Sequence, residues 1–151
     1  MIRQARHDSP FGPLLLTEQD SRLTRLGWND ADATDTSPLL DAARRQLDAY
    51  FAGKRVAFDL PLALGTGFQA RFLASLCAIP FGETRRYGEL ARSLNVSAQA
   101  IGQACGANPI PIIIPCHRIL AATGLGGFSA PGGIETKVAL LRHEGAASLL
   151  I

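Results

Sequence analysis

Three prolines within seven residues constrain this 151-residue chain more than any other feature. They stand in Asn108-Pro109-Ile110-Pro111-Ile112-Ile113-Ile114-Pro115-Cys116-His117-Arg118. Proline fixes φ, lacks an N–H and pushes the residue before it out of the helical region, so the stretch cannot be a helix. The reading is an extended path through an apolar environment, ending on a rigidly placed cysteine. Free cysteine is among the most buried residue types, and composition alone favours an inert Cys116. Its neighbours point the other way. His117 can serve as a base toward the thiol, directly or through a water, and Arg118 adds positive charge that favours the nucleophilic thiolate. Such a base needs an orienting carboxylate. Glu144, at the end of the helix that starts near Lys137, is the candidate, although spacing alone favours a solvated terminal charge there. His7 and His143 read as surface residues.

The rest of the chain is legible as two lobes, 1–65 and 66–151, divided at Gly65-Thr66-Gly67. The first thirty residues alternate as strands do, and Pro13–Glu18 and Arg22–Trp28 flank the turn signal Gln19-Asp20-Ser21. Ser37-Pro38 starts a helix, with serine as N-cap and proline at the first helical position. Leu39, Leu40, Ala43, Leu47, Tyr50 and Phe51 recur at helical spacing until Gly53. Val56 to Leu64 reads as a further strand, broken by Pro61. The second lobe is helical: Phe68 to Ala78, with Phe68, Phe72, Leu73, Leu76 and Cys77 on one face, then Tyr87 to Leu94. Asn95-Val96 turns the chain, and Ser97 caps a third helix running to about Cys105. Two short helices around a tight turn outline a helix-turn-helix, although most such pairs simply pack together.

Charge and cysteine usage narrow the function classes. Residues 1–65 carry a net charge of −1 and residues 66–151 a net of +3, which permits a phosphate-facing surface on the second lobe. Three widely spaced cysteines make a poor disulfide framework and form no zinc motif. No apolar run is long enough to span a bilayer, and the first residues lack a secretory signal. The expectation is a cytoplasmic protein, off membranes, with at least one free thiol and no metal.

Several motifs stand in one order: Pro80-Phe81-Gly82, Tyr87-Gly88-Glu89-Leu90-Ala91, Asn108-Pro109-Ile110-Pro111, Pro115-Cys116-His117-Arg118, Gly124-Leu125-Gly126-Gly127-Phe128-Ser129, Lys137, and Leu140 to Gly145. In these the chain resembles the O6-alkylguanine-DNA alkyltransferases, nearly continuously over residues 66–145 and loosely before that. The resemblance implies a ribonuclease-H-like α/β lobe followed by a winged-helix domain with the helix-turn-helix. It implies a monomer that binds the minor groove of double-stranded DNA containing O6-alkylguanine and flips the damaged base into a pocket. A substituent inside a stacked duplex is otherwise out of reach of a thiolate. Carried over by position, Cys116 would accept the alkyl group, His117 would be the base acting through a water, and Glu144 would orient His117. Asn108 would hold the active-site turn, and Arg118 would brace the site. Tyr87 would donate to the guanine ring. The carbonyls of Cys116 and Ile119 would receive the exocyclic amine, Ser129 would lie near O6, and Phe128 would line the pocket. Ser97, Ala98, Gln99 and Gly102 on the recognition helix, with Arg92, would face DNA. No cofactor is implied, and each molecule would act once, because a thioether is a poor leaving group.

Two positions depart from the family pattern. Gln99 stands where many members carry an arginine that fills the space left by the flipped base; it reaches less far and has no charge, which implies weaker flipping or affinity. Arg85, Arg86 and Arg92 are the candidates to compensate. Phe128 stands where relatives often carry tyrosine. The apolar tail Ala147–Ile151 has no assigned role. The competing classes are a non-enzymatic alkyltransferase-like sensor, in which the cysteine is typically replaced by tryptophan, a cysteine hydrolase, and a plain helix-turn-helix regulator. The presence of Cys116 with His117 and Glu144 argues against the first. The hydrolase would need an oxyanion site, and the regulator leaves residues 108–118 unexplained.

Overall fold

The computed structural model describes residues 1–122, 124–128 and 130–146, and the chain divides into two compact units, Met1–Ala63 and Leu64–Ile151. In the first, β1 (Ile2–Ser9), β2 (Gly12–Gln19) and β3 (Arg22–Trp28) form an antiparallel meander in the order β1-β2-β3. Alternation buries Ala5 and His7 from β1 and Leu14 and Leu16 from β2. On β3 the buried residues, Leu23 and Leu26, are three apart instead of two or four. A bulge resolves this: Leu26 pairs with Leu16 but Leu23 pairs with Glu18, so the register slips and both leucines reach the core. Asp20 and Ser21, both at positive φ (53° and 60°), make the two-residue turn between β2 and β3, whose twist matches the strands.

Helix α1 (Pro38–Phe51) covers one face of this sheet with Leu40, Ala43, Leu47 and Tyr50. Ser37 caps it, accepting from Leu40 N at 2.9 Å, and its hydroxyl donates to the buried Glu18 carboxylate at 2.5 Å. Two expectations fail in this unit. Val56 to Leu64 is no strand; Leu62 makes only an isolated bridge to Leu23. Pro61 has no N–H for a ladder, and the Gln46 amide takes up both backbone groups of Asp59, donating to its oxygen at 3.0 Å and accepting from its nitrogen at 2.8 Å. His7 is buried, not on the surface, with Nε2 2.9 Å from Asp48 Oδ1 of α1.

The second unit contains α2 (Gly67–Cys77), α3 (Tyr87–Leu94), α4 (Ala98–Gly106) and α5 (Ile134–His143). Phe72, Leu73 and Leu76 are buried from α2, but Cys77, expected on the same face, is exposed at the helix end. Asn95, at φ 58°, closes α3, and Ser97 caps α4 by accepting from Ala100 N at 3.1 Å. Two two-residue strands, β4 (Arg85–Arg86) and β5 (Ile119–Leu120), pair in parallel. Among the described residues no helix is long and apolar enough to cross a membrane.

Ser37 joins the helix cap to a buried charge, so replacing it removes both partners at once. Ser37→Ala is expected to destabilise the N-terminal unit by about 2 kcal/mol, the sum of a lost cap and a lost hydrogen bond to a charged group. Trp28, the single tryptophan and a residue of β3, reports that unit by fluorescence during urea unfolding. An unchanged midpoint would contradict the assignment.

Candidate active site

The proline-rich segment is turned, not extended as expected. Ile114 N donates to Ile110 O at 2.8 Å and Ile113 N to Pro111 O at 2.9 Å, so the chain doubles back on itself. Its isoleucines are buried, and a buried loop must satisfy its own polar groups. Asn108 does much of this. Its amide nitrogen donates to Ile114 O at 2.9 Å and its amide oxygen accepts from Ile110 N at 3.0 Å, tying both ends of the turn. Ile112 adopts φ 72°, an unfavourable conformation for a β-branched residue that only a tightly packed surround sustains. Cys116, His117 and Arg118 follow as one 3-10 turn, all buried.

That turn meets the end of α5 at a buried carboxylate. Glu144 is 4% exposed, against the expectation from spacing of a solvated charge. His117 Nε2 lies 2.7 Å from Glu144 Oε2, and Arg118 clamps the same carboxylate with Nε at 2.8 Å from Oε1 and Nη2 at 3.0 Å from Oε2. Nη1 of Arg118 donates to Ile79 O just beyond α2, at 2.7 Å. A carboxylate accepts only, so the His117 nitrogen facing it carries the proton, leaving Nδ1 with a free lone pair. Nδ1 is buried and meets no partner among the described residues. Burial holds the His117 imidazole below its ordinary range despite Glu144, so the ring is neutral near pH 7.

Arg118 was expected to supply the charge that favours a thiolate at Cys116, but its guanidinium is engaged by Glu144. The cation that faces the thiol is Lys137, which sequence reasoning left without a role. It is fully buried on α5, three and four residues before the buried Leu140 and Leu141. A lysine on the apolar stripe of a helix was the signal available in the sequence. Its Nζ donates to the carbonyls of Ile119 at 2.7 Å, Leu125 at 2.5 Å and Gly127 at 3.3 Å. Cys116 is 5% exposed. Its thiol is nonetheless held below the ordinary range, first by a hydrogen bond from the Cys105 side chain, then by Asn108 and Lys137, against the opposing effect of burial.

Tyr87 opens α3, where Glu89 accepts from Arg86 N at 3.1 Å and closes the first turn. The tyrosine is half-buried between Gly102 and Gly126; a Cβ on Gly126 would lie 3.1 Å from its hydroxyl. Burial, and next the two nearby thiols, push its ionisation upward, so it remains a proton donor. Ala98 and Gln99 are exposed on α4, as is Arg92 on α3, while the Ser97 hydroxyl is engaged in capping. Arg86 donates to Ala121 and Ala122 carbonyls, and Arg85 pairs with Glu83 at 3.1 Å. Phe128 is half-buried, and Ser129 and the tail Ala147–Ile151 lie outside the described residues. His143, expected on the surface, is half-buried and edge-on to Phe81. Among the described residues no three His, Cys, Asp or Glu side chains are placed to hold a metal ion.

The helix-turn-helix and the buried, ionisation-prone thiol define a class: DNA-binding proteins whose own cysteine does the chemistry. Comparison narrows the class to one family. Residues 67–146 match the 6-O-methylguanine DNA methyltransferase DNA-binding domain, and residues 2–64 match the ribonuclease-like domain of the same proteins. The chain is 44% identical to a methylated-DNA–protein-cysteine methyltransferase of Mycobacterium tuberculosis, over 95% of this chain and 93% of that one. A Methanosarcina barkeri protein of the same name is 41% identical, over 91% of this chain and 93% of its own length. Among solved structures, the M. tuberculosis protein in complex with DNA superposes with a TM-score of 0.82 at 44% identity, covering 97% of this chain and 93% of that one. This chain therefore belongs to the O6-alkylguanine-DNA alkyltransferase family, with a ribonuclease-like N-terminal domain and a winged-helix DNA-binding domain.

The neutral His117 makes stability depend on pH in a set direction. Its folded-state pKa lies below the unfolded value of about 6.5, so the unfolded chain takes up a proton first. Stability from this group is fully present above about pH 6.5 and is lost as pH falls below it, by at most ~1.4 kcal/mol per unit. His117→Gln should flatten the melting-temperature profile between neutral and mildly acidic pH, measured by circular dichroism. An equal slope in the variant would locate the titration elsewhere.

Proposed function

We infer that this protein repairs alkylated DNA by moving the alkyl group of O6-alkylguanine onto Cys116. The observation that carries the reading is the acceptor itself: a buried cysteine held toward its thiolate, beside a histidine engaged by a buried carboxylate. Burial would normally oppose ionisation, so the surrounding donors act against the environment they sit in. In the reaction the Cys116 sulfur attacks the alkyl carbon in line with the carbon–oxygen bond. That bond breaks, and its electron pair leaves on O6 of guanine. The thiol proton passes to His117 Nδ1 through a water, with Glu144 holding the imidazole in the tautomer that can receive it. Tyr87 donates to the departing guanine ring, neutralising the charge that develops there, and the carbonyls of Cys116 and Ile119 accept the exocyclic amine. The Ile119 carbonyl already accepts from Lys137, so the same lysine fixes both an edge of the pocket and the field at the sulfur.

The first unit, expected as 1–65, is the N-terminal lobe in this reading, and 66–151 is the DNA-binding and alkyl-accepting lobe. The exposed start of α4, with Ala98 and Gln99, faces the minor groove of the duplex, and Gly102 supports Tyr87 from the same helix. Free thiols fit a reducing cytoplasm.

Incubation with a duplex containing O6-methylguanine is expected to add one methyl group per molecule, located on Cys116 by peptide mass mapping and absent in Cys116→Ala. Binding without mass gain would make the protein a damage sensor, and no binding would overturn both readings.

Of the three arginines expected to compensate, Arg85 and Arg86 are engaged by neighbouring groups and Arg92 is exposed on α3, while Gln99 is exposed at the position expected to enter the duplex. Gln99→Arg should raise the single-turnover rate on duplex substrate, about tenfold if one added phosphate or base contact contributes ~1.4 kcal/mol. The rate on a free alkylated base should be unchanged. No gain on the duplex would show that Gln99 serves the flipped state as well as arginine does.

A further inference from the structure

Arg86 was expected to reach outward to DNA, but its guanidinium turns back onto the protein. Nη1 donates to the carbonyl of Ala121 at 2.5 Å and to that of Ala122 at 3.1 Å, both far away in the chain. Arg85 beside it pairs with Glu83, whereas Arg86 meets no carboxylate among the described residues. A guanidinium bonded to two successive carbonyls fixes backbone, and charge makes each bond stronger than a neutral one.

The backbone it fixes is one wall of the site. β4 ends on Arg86 and pairs with β5, which runs directly into Ala121. An isolated bridge then joins Ala121 to Gly124. Gly126 follows at φ 74°, where a Cβ would lie 3.1 Å from the Tyr87 hydroxyl and 3.4 Å from Ala121 N. Gly126 is thus packed against both. Lys137 holds the same segment from α5, through the carbonyls of Ile119, Leu125 and Gly127. Two cations secure one stretch of chain, Lys137 from a buried position and Arg86 from an exposed one. Arg86 does so one residue before Tyr87, and Glu89 of α3 accepts from its backbone N at 3.1 Å. One residue therefore ties the start of α3 to the wall that its tyrosine faces.

We propose that Arg86 is a positioning residue for alkyl transfer: by clamping the Ala121 and Ala122 carbonyls it holds segment 119–128 against the Tyr87 hydroxyl. A donor that must meet the guanine ring as charge develops there tolerates little displacement, because small errors of placement are costly to rate. The role requires no contact between Arg86 and DNA.

This role rests on Cys116 being the alkyl acceptor, and the test separates the two. Methyl transfer from duplex O6-methylguanine is followed in single turnover, with the full-length protein in excess and at several salt concentrations. Arg86→Ala is expected to lower the plateau rate about tenfold. The half-saturating protein concentration and its salt dependence should stay as they are. Because Nη1 makes both bonds, the single ammonium of Arg86→Lys should recover most of the rate. An unchanged plateau overturns the proposal. So does a raised half-saturation with a shallower salt dependence, the signature of a lost phosphate contact. A loss that lysine fails to recover also overturns it, since the side chain then only packs. If Arg86→Ala does not fold, Arg86→Met keeps the aliphatic stem, with the same outcomes deciding. Hydrogen exchange reads the clamp without any reaction: amides of 119–128 should exchange faster in Arg86→Ala, and those of α4 should not. Equal exchange over 119–128 overturns the clamp. Absence of methyl transfer in the unsubstituted protein, with the exchange difference intact, would instead sink the function and leave the clamp standing.

Discussion

One buried carboxylate organises the catalytic unit. Glu144 takes one contact from His117 and two from Arg118, and Arg118 reaches on to Ile79. The end of α2, the 3-10 turn that carries Cys116, and the end of α5 are therefore tied through a single charge. Taking such a charge out of water costs several kcal/mol, and only a full set of well-placed donors offsets it. The arrangement is consequently all-or-none: breaking one partner of a buried pair costs about 3–5 kcal/mol, because the remaining charge has no water to turn to. A site that must present a sulfur atom in one direction gains from this rigidity, even where the ion pair adds little net stability.

The two buried cations of this unit have separate tasks. Arg118 neutralises Glu144 and is unavailable to the thiol next to it in sequence. Lys137, from another helix, has three carbonyls and, among the described residues, no carboxylate as hydrogen-bond partners, so its charge remains available to the Cys116 sulfur. Burial lowers the ionisation of Lys137 itself, and the neighbouring thiols raise it, so cation and thiolate support each other. The division follows from geometry: guanidinium matches a carboxylate with two parallel bonds, whereas an ammonium acts as a point charge with rotatable donors.

How much of this was readable beforehand depended on whether the signal was local. The Ser37-Pro38 start of α1, the alternating β1–β3 segments and the Asn95-Val96 turn between α3 and α4 were legible, because caps, pleat and left-handed turns are decided by neighbouring residues. The bulge that lets Leu23 and Leu26 share a face was not, nor was the loss of the strand expected over Val56–Leu64, which depends on the chain folding back so that Gln46 of α1 meets Asp59. Prolines did exclude a helix at 109–115, yet the path they take is a turn, since Asn108 can satisfy a turn's backbone and an extended strand would have needed a partner.

For the site, the sequence by itself determined the candidate acceptor segment, the candidate base beside it and the family to which the order of motifs belongs. It could not decide the burial of Glu144, the exclusion of Arg118 from the thiol, or the placement of Lys137 beside it. Each of these is a matter of solvation and distance between residues far apart in the chain. Charge and ionisation in a protein are set by what surrounds a group in space, and a lysine or carboxylate has the same letter whether water or a buried partner faces it. Tertiary structure turned Cys116 from a residue that could be inert into one held toward its thiolate, by gathering Lys137, the Asn108 amide and the Cys105 thiol around the turn that carries it.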